Sequence, residues 1–139
     1  MCIRDSFKDA DKTAAWDMYV ELLTRVTTQH IATEDGDEKS ALTSIYSLFE
    51  ITRNIIKENG SGCIEFAKVA IVILNQVIRP FTAKWHKLSL ENAFDKSEKR
   101  SLFREELMDL QIVLRRYTQL LADIAGVEDL TQLEELSII

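Results

Sequence analysis

At 139 residues the chain has the length of one domain, enough to bury a single sizeable core. Hydrophobic residues make up 46% and charged residues 29%, which excludes an intrinsically disordered chain. A net charge of −6 and a pI near 5.0 argue against bulk electrostatic binding of nucleic acid or of anionic membrane.

The opening hexapeptide MCIRDS resembles a translated sequencing-adapter remnant of the kind found in metagenomic assemblies. Residues 1–10 are therefore expected to be a disordered or non-native lead, with one helical domain over 11–127 and a short helix or tail over 128–139. The segment MCIRDSFKDADKTAA has no apolar core of the sort a secretory signal needs. The longest apolar run, Val69–Leu74, falls well short of the roughly twenty residues that span a bilayer, so a cytoplasmic protein without membrane contact is expected. Cys2 and Cys63 form neither a disulfide framework nor a ligand cluster, and Cys63 reads as a small buried hydrophobe.

The first helix is expected from about Lys12 to Gln29, with Trp16, Tyr19, Leu23 and Val26 at three- and four-residue steps. The polar loop HIATEDGDEKS follows, and Asp37 or Glu38 opens the second helix with negative charge at its positive end. That helix carries Leu42, Ile45, Phe49, Thr52 and Ile56 on one stripe and stops at Asn59-Gly60-Ser61-Gly62. The third helix starts near Cys63. Its stretch Phe66–Ile78 is apolar nearly all round, which marks it as the most enclosed element. Pro80 removes a backbone donor, so this helix should kink or break between Ile78 and Phe81. KWHKLSLENAFDKS then reads as irregular, with at most a short extra turn. The fourth helix, about Ser97 to Ala125, has Phe103, Leu107, Leu110, Leu114, Tyr117, Leu121 and Ile124 along one packing seam and ends at Gly126. Leu130, Leu133 and Leu136 suit either a fifth short helix on the bundle or an exposed docking segment. The class is all-α: an up-down antiparallel four-helix bundle with a short C-terminal helix or tail.

The segment Asn75–Lys87, NQVIRPFTAKWHK, gathers Arg79, Lys84, His86 and Lys87 without an acid among them. One reading is capping: Arg79 and Lys84 face the negative end of the third helix, with Trp85 packed over the bundle end and His86 in solvent. A second is binding. Asn75 and Arg79 lie four apart on one face, and Asp17, Glu21 and Arg25 recur along the first helix, where Asp17 or Glu21 could pair with Arg79. Such a cluster is either a register-fixing ion network or a polar pocket walled by Trp16, Tyr19 and Trp85, with Arg79, Lys84, His86 and Lys87 as anion contacts.

The spacing Arg79-x6-His86 also resembles the Arg-x(4–6)-His motif of HEPN-type ribonucleases, although Pro80 stands where that family has a polar residue. The resemblance implies a small all-α fold that dimerises and cuts RNA without metal. It makes His86 an acid or base toward the ribose 2′-OH and Arg79 a phosphate contact. WDMYVELLTRVTTQ and RPFTAKWHK further resemble segments of small helical proteins from bacterial defence loci.

His30 and His86 are the only histidines and have no carboxylate at metal-ligand spacing, so no metal or other cofactor is expected. Gly60-Ser61-Gly62 lacks the flanking strand and lysine of a phosphate loop. Arg100, Arg104, Arg115 and Arg116 alternate with acids and make a mixed surface. The expected function is a non-enzymatic adaptor that binds a partner protein, a second copy of itself or a small anionic ligand through the Arg79–Lys87 end. The alternative is the HEPN-like ribonuclease.

Overall fold

A computed structural model describes residues 7–24 and 38–128. Of these, 91% are helical and none is in a strand, so the fold is all-α. Arg25, His30 and the leucine-rich tail from residue 129 onward lie outside the described residues, and with them the expectations placed there.

The first helix, α1 (Asp9–Leu23), buries Asp11, Ala14, Ala15, Met18, Tyr19 and Leu22. Its core face is thus rotated from the expected Trp16–Tyr19–Leu23 stripe, and Trp16 is left 44% exposed. The small side chains of Ala14 and Ala15 let the helix axis approach its neighbours, and bulk alone is a poor guide to which face goes inward. The main partner of α1 is the last helix; it also packs against the helix over Leu48–Asn59 and the turn at Gly60–Cys63. At that turn a Cβ on Gly62 would stand 3.2 Å from the Ala10 Cβ, a close approach that glycine permits.

The second element runs as α2 (Glu38–Tyr46) and α3 (Leu48–Asn59), with a tight step at Ser47 that the sequence did not announce. Leu42, Ile45, Phe49 and Thr52 are buried along the expected stripe, and Ile56 is half-buried. Gly60, at φ 68°, takes the chain out of α3 into a 3-10 turn over Gly60–Cys63.

Helix α4 (Ile64–Val72) passes through one wide turn of π geometry, Ile73–Ile78, into α5 (Arg79–Leu90). Of the kink or break expected between Ile78 and Phe81, the break is corrected, and so is the irregular segment after it: the helix continues for a further ten residues beyond Pro80 to Leu90. The wide turn explains why. The Arg79 N–H donates to the Leu74 carbonyl, five residues back, so the ladder is already opened where the proline lacks a donor and its ring would meet a carbonyl. The stop comes instead at Asn92, in the left-handed region at φ 62°. A second expectation also fails. Ile64, Ile71 and Val72 are 49%, 46% and 48% exposed, so α4 is not the most enclosed element.

Glu38–Leu90 is a helical stretch of 53 residues, long and apolar enough by length and composition to cross a membrane. Laid out straight it would measure roughly 80 Å. Yet the rings of Tyr46 and His86 lie 5.2 Å apart and α2 packs on α5, so the stretch doubles back on itself at Gly60–Cys63.

After a short 3-10 turn at Ala93–Asp95 comes α6 (Ser97–Ala125), with the boundaries the periodicity predicts. All seven seam residues, Phe103 through Ile124, are buried. Gly126, at φ 74°, ends the helix.

Candidate functional site

The residues of α5 divide between two faces with different tasks. On one, Trp85 is 0% exposed, stacked on Phe94 at 5.8 Å and meeting Phe103 edge-on at 5.1 Å. Burial on this scale contributes about 3 kcal/mol for a large aromatic side chain. Its indole N–H donates to Glu106 Oε1 at 3.1 Å, and Lys84 Nζ donates to the other oxygen of the same carboxylate at 2.6 Å. Trp85 and Lys84 therefore fasten α5 to α6. Trp85 is part of the core rather than a wall of an open pocket.

The other face of α5 carries Arg79, Thr82, Ala83 and His86, one helical turn after another, and looks toward α2 and α3. From that side come Tyr46, Phe49 and Arg53, and together they line a solvent-open cavity of about 200 Å3. Arg79 is held in place. Its Nε and Nη2 donate to Asn75 Oδ1 at 3.3 and 3.2 Å, as their spacing of four predicts, and its guanidinium carbon sits 4.8 Å from the centre of the Phe49 ring. His86 is stacked on Tyr46 with 20° between the ring planes, and Tyr46 leans on Phe49 at 5.6 Å. Thr82 turns its hydroxyl back to the carbonyls of Ile78 and Arg79, so it offers the cavity mainly a methyl surface.

Arg53 and the His86 ring have no hydrogen-bond partner among the described residues. No carboxylate lines the cavity. Two guanidinium groups and an imidazole thus converge, with donors to spare and aromatic faces beneath them, which is the chemistry that holds a single oxyanion. The capping reading of these cations does not survive, because the helix has no end at residues 78–81 for Arg79 to cap. Lys87 is exposed on α5 and does not line the cavity.

Trp16, Asp17 and Glu21 stand apart from Arg79. They line a second, open groove of about 480 Å3 between α1 and α3, with Asn54 and Glu58 on the far wall. Asp17 has its carboxyl pushed above the usual carboxylate range, first by burial and then by the negative charges of Glu58 and Glu21. The expected pairing of Asp17 or Glu21 with Arg79 is absent, because α3 stands between the two grooves. Tyr19 is buried and stacks on Trp16 at 5.9 Å.

Two features escaped sequence reading. Tyr46, Phe49 and Arg53 form a helical stripe at three- and four-residue steps, which is visible, but nothing in the sequence says that it faces Arg79 and His86. Asp11 is the other. Fully buried, it accepts a hydrogen bond from the Lys8 N–H through Oδ2 at 3.0 Å and from the Phe66 N–H through Oδ1 at 3.0 Å. One carboxylate therefore serves the amino ends of both α1 and α4, where helix dipoles favour negative charge. Cys63 is buried nearby as expected. Burial, followed by the charge of Asp11, pushes its thiol up, away from nucleophilic character. Among the described residues no group of histidine, cysteine and carboxylate side chains is placed to hold a metal ion. No family model, curated protein or solved structure matches the chain.

Proposed function

We propose that the chain is an up-down antiparallel four-helix bundle acting as a non-enzymatic cytoplasmic binding module, whose groove between α2–α3 and α5 captures an oxyanion. The doubling back at Gly60–Cys63 supports the bundle reading, since it sets α2–α3 and α4–α5 side by side as antiparallel arms that pack against the α1–α6 pair. The observation that carries the binding reading is the convergence of Arg53, Arg79 and His86 on one cavity without a counter-charge. All three side chains are exposed, so a cluster of that kind is open to an incoming anion. The groove suits either a small anionic ligand or an acidic group on a partner protein. Calorimetric titration with phenyl phosphate tests this: Arg79→Ala should weaken binding at least about tenfold, while Arg116→Ala, far along α6, should leave it unchanged. Equal losses in the two variants would remove the groove from consideration.

A second reading, the metal-independent ribonuclease, is favoured by one observation: Arg79 and His86 share a face of α5 and line the same cavity. In that reading His86 exchanges a proton with the ribose 2′-OH while Arg79 and Arg53 hold the phosphate. Single-stranded RNA incubated with the protein in the presence of a chelator decides it. Cutting that disappears in His86→Ala supports the enzyme, and RNA left whole by the unaltered protein eliminates it.

A further inference from the structure

We infer that the groove reads one oxyanion carried on a side chain of a partner polypeptide, a glutamate or aspartate carboxylate or a phosphorylated hydroxyl, rather than a free nucleotide or a nucleic acid. This inference rests on the oxyanion-binding reading above and narrows its ligand.

Size comes first. The cleft offers about 200 Å3, below the roughly 300 Å3 at which small-molecule pockets begin, so it matches a side-chain head group and would leave most of a nucleotide outside it, uncontacted. Position comes second. The anion contacts are not at a closed end but on the wall between two helices, and one of them, Tyr46, is 51% exposed at the rim. A chain laid along the cleft could pass over Tyr46 while one of its side chains enters between Arg53 and Arg79. Charge comes third. The cavity is lined by Arg53, Arg79 and His86 with no carboxylate, whereas the groove on the other side of α3 is lined by Asp17, Glu21 and Glu58 and the whole chain carries −6. A polyanion that followed the surface beyond the cavity would meet repulsion, while a segment with one or two negative groups would not.

Within the cavity the donors are graded. Arg79, tied to Asn75 and laid on Phe49, is already oriented. It therefore loses little side-chain entropy on binding. Arg53, without a partner of its own, is the group that moves onto the ligand. His86, stacked on Tyr46 and seven residues from Arg79 on the same face of α5, supplies a further ring N–H donor to the same cavity.

The test uses the whole chain and a set of capped heptapeptides of neutral sequence that differ at the central residue: glutamate, phosphoserine, phosphotyrosine or alanine. Inorganic phosphate, ATP and a single-stranded RNA twenty-mer complete the set. At least one anionic peptide should bind about tenfold tighter than the alanine peptide and tighter than ATP. Arg53→Ala and Arg79→Ala should each remove most of that margin, with Arg79→Lys, which keeps charge but not the fork, falling between. Circular dichroism on every variant confirms that the helices remain. If the phosphorylated arms win, the source is a phosphate; if the glutamate arm wins, it is a carboxylate. ATP or RNA binding more tightly than every peptide, with the same dependence on Arg53 and Arg79, overturns this inference and leaves the oxyanion site standing. Anions that bind nowhere, or without dependence on either arginine, overturn both.

Discussion

Asp11 offers the most quantitative check on the fold that builds the groove. Its carboxylate lies at the junction of α1 and α4, with Oδ2 and Oδ1 each 3.0 Å from a backbone nitrogen, of Lys8 and Phe66 respectively. Asp11→Ala deletes both hydrogen bonds and the charge that faces two helix amino termini. The Lys8 N–H lies at the surface and recovers a partner from water, so its loss costs little beyond an ordinary cap, about 1 kcal/mol. The Phe66 N–H is buried and becomes an orphan, at about 2 kcal/mol. The sum is about 3 kcal/mol, a large share of the 5 to 15 kcal/mol typical of a domain, and should lower Tm by about 10 °C. Asp11→Asn, which keeps one acceptor oxygen, should lose about half as much. Asp9→Ala, an exposed carboxylate in the same helical turn, is the control and should change stability by less than about 0.5 kcal/mol. Urea unfolding and thermal melts followed by far-ultraviolet circular dichroism measure all three. An Asp11→Ala variant within 1 kcal/mol of the Asp9→Ala control would refute the shared-cap account.

Two further outcomes follow from the same physics. Asp17 has its carboxyl raised in the folded protein by burial and by Glu58 and Glu21, so the folded chain holds that proton more tightly than the unfolded chain does. Stability from this group is therefore greatest at low pH and falls as pH rises through the raised value toward neutrality. Asp17→Asn should raise Tm at pH 7, with the gain shrinking as pH approaches about 4; a gain that grew on acidification would contradict the sign. Tyr117 has its hydroxyl buried without a hydrogen-bond partner among the described residues, and burial pushes its phenol up well beyond the usual range. Tyr117→Phe should be neutral or stabilising by up to about 1 kcal/mol in urea unfolding, and a loss of more than about 1 kcal/mol would show that the hydroxyl is satisfied.

Much of this architecture is legible in the residues. The α6 seam can be read from its alternating steps because Phe103, Leu107, Leu110 and their successors all point inward, and Gly126 marks the end. Gly60 likewise marks where the chain turns back. Pro80 misleads for a local reason: a proline is a breaker in a regular ladder, but the π turn at Ile73–Ile78 had already opened the ladder ahead of it, and no side-chain pattern announces such a turn. The stripe Trp16–Tyr19–Leu23 misleads because two alanines allow closer packing than an indole does. In the groove, Arg79, His86 and Asn75 stand out by charge and spacing. Arg53 and Tyr46 do not, since their role depends on which arm packs against α5. Trp85 and Lys84 stood beside Arg79 in sequence but turn to the opposite face and to Glu106.

The oxyanion groove is most directly tested by a nuclear magnetic resonance titration of the protein with phenyl phosphate, following side-chain signals of Arg53, Arg79, His86 and Tyr46 together with those of Arg100, Arg115 and Arg116. Saturable shifts confined to the first four, abolished in an Arg53→Ala and Arg79→Ala double variant that remains helical, are the predicted result. Shifts spread equally over the α6 arginines, or none at the cavity, would contradict the account.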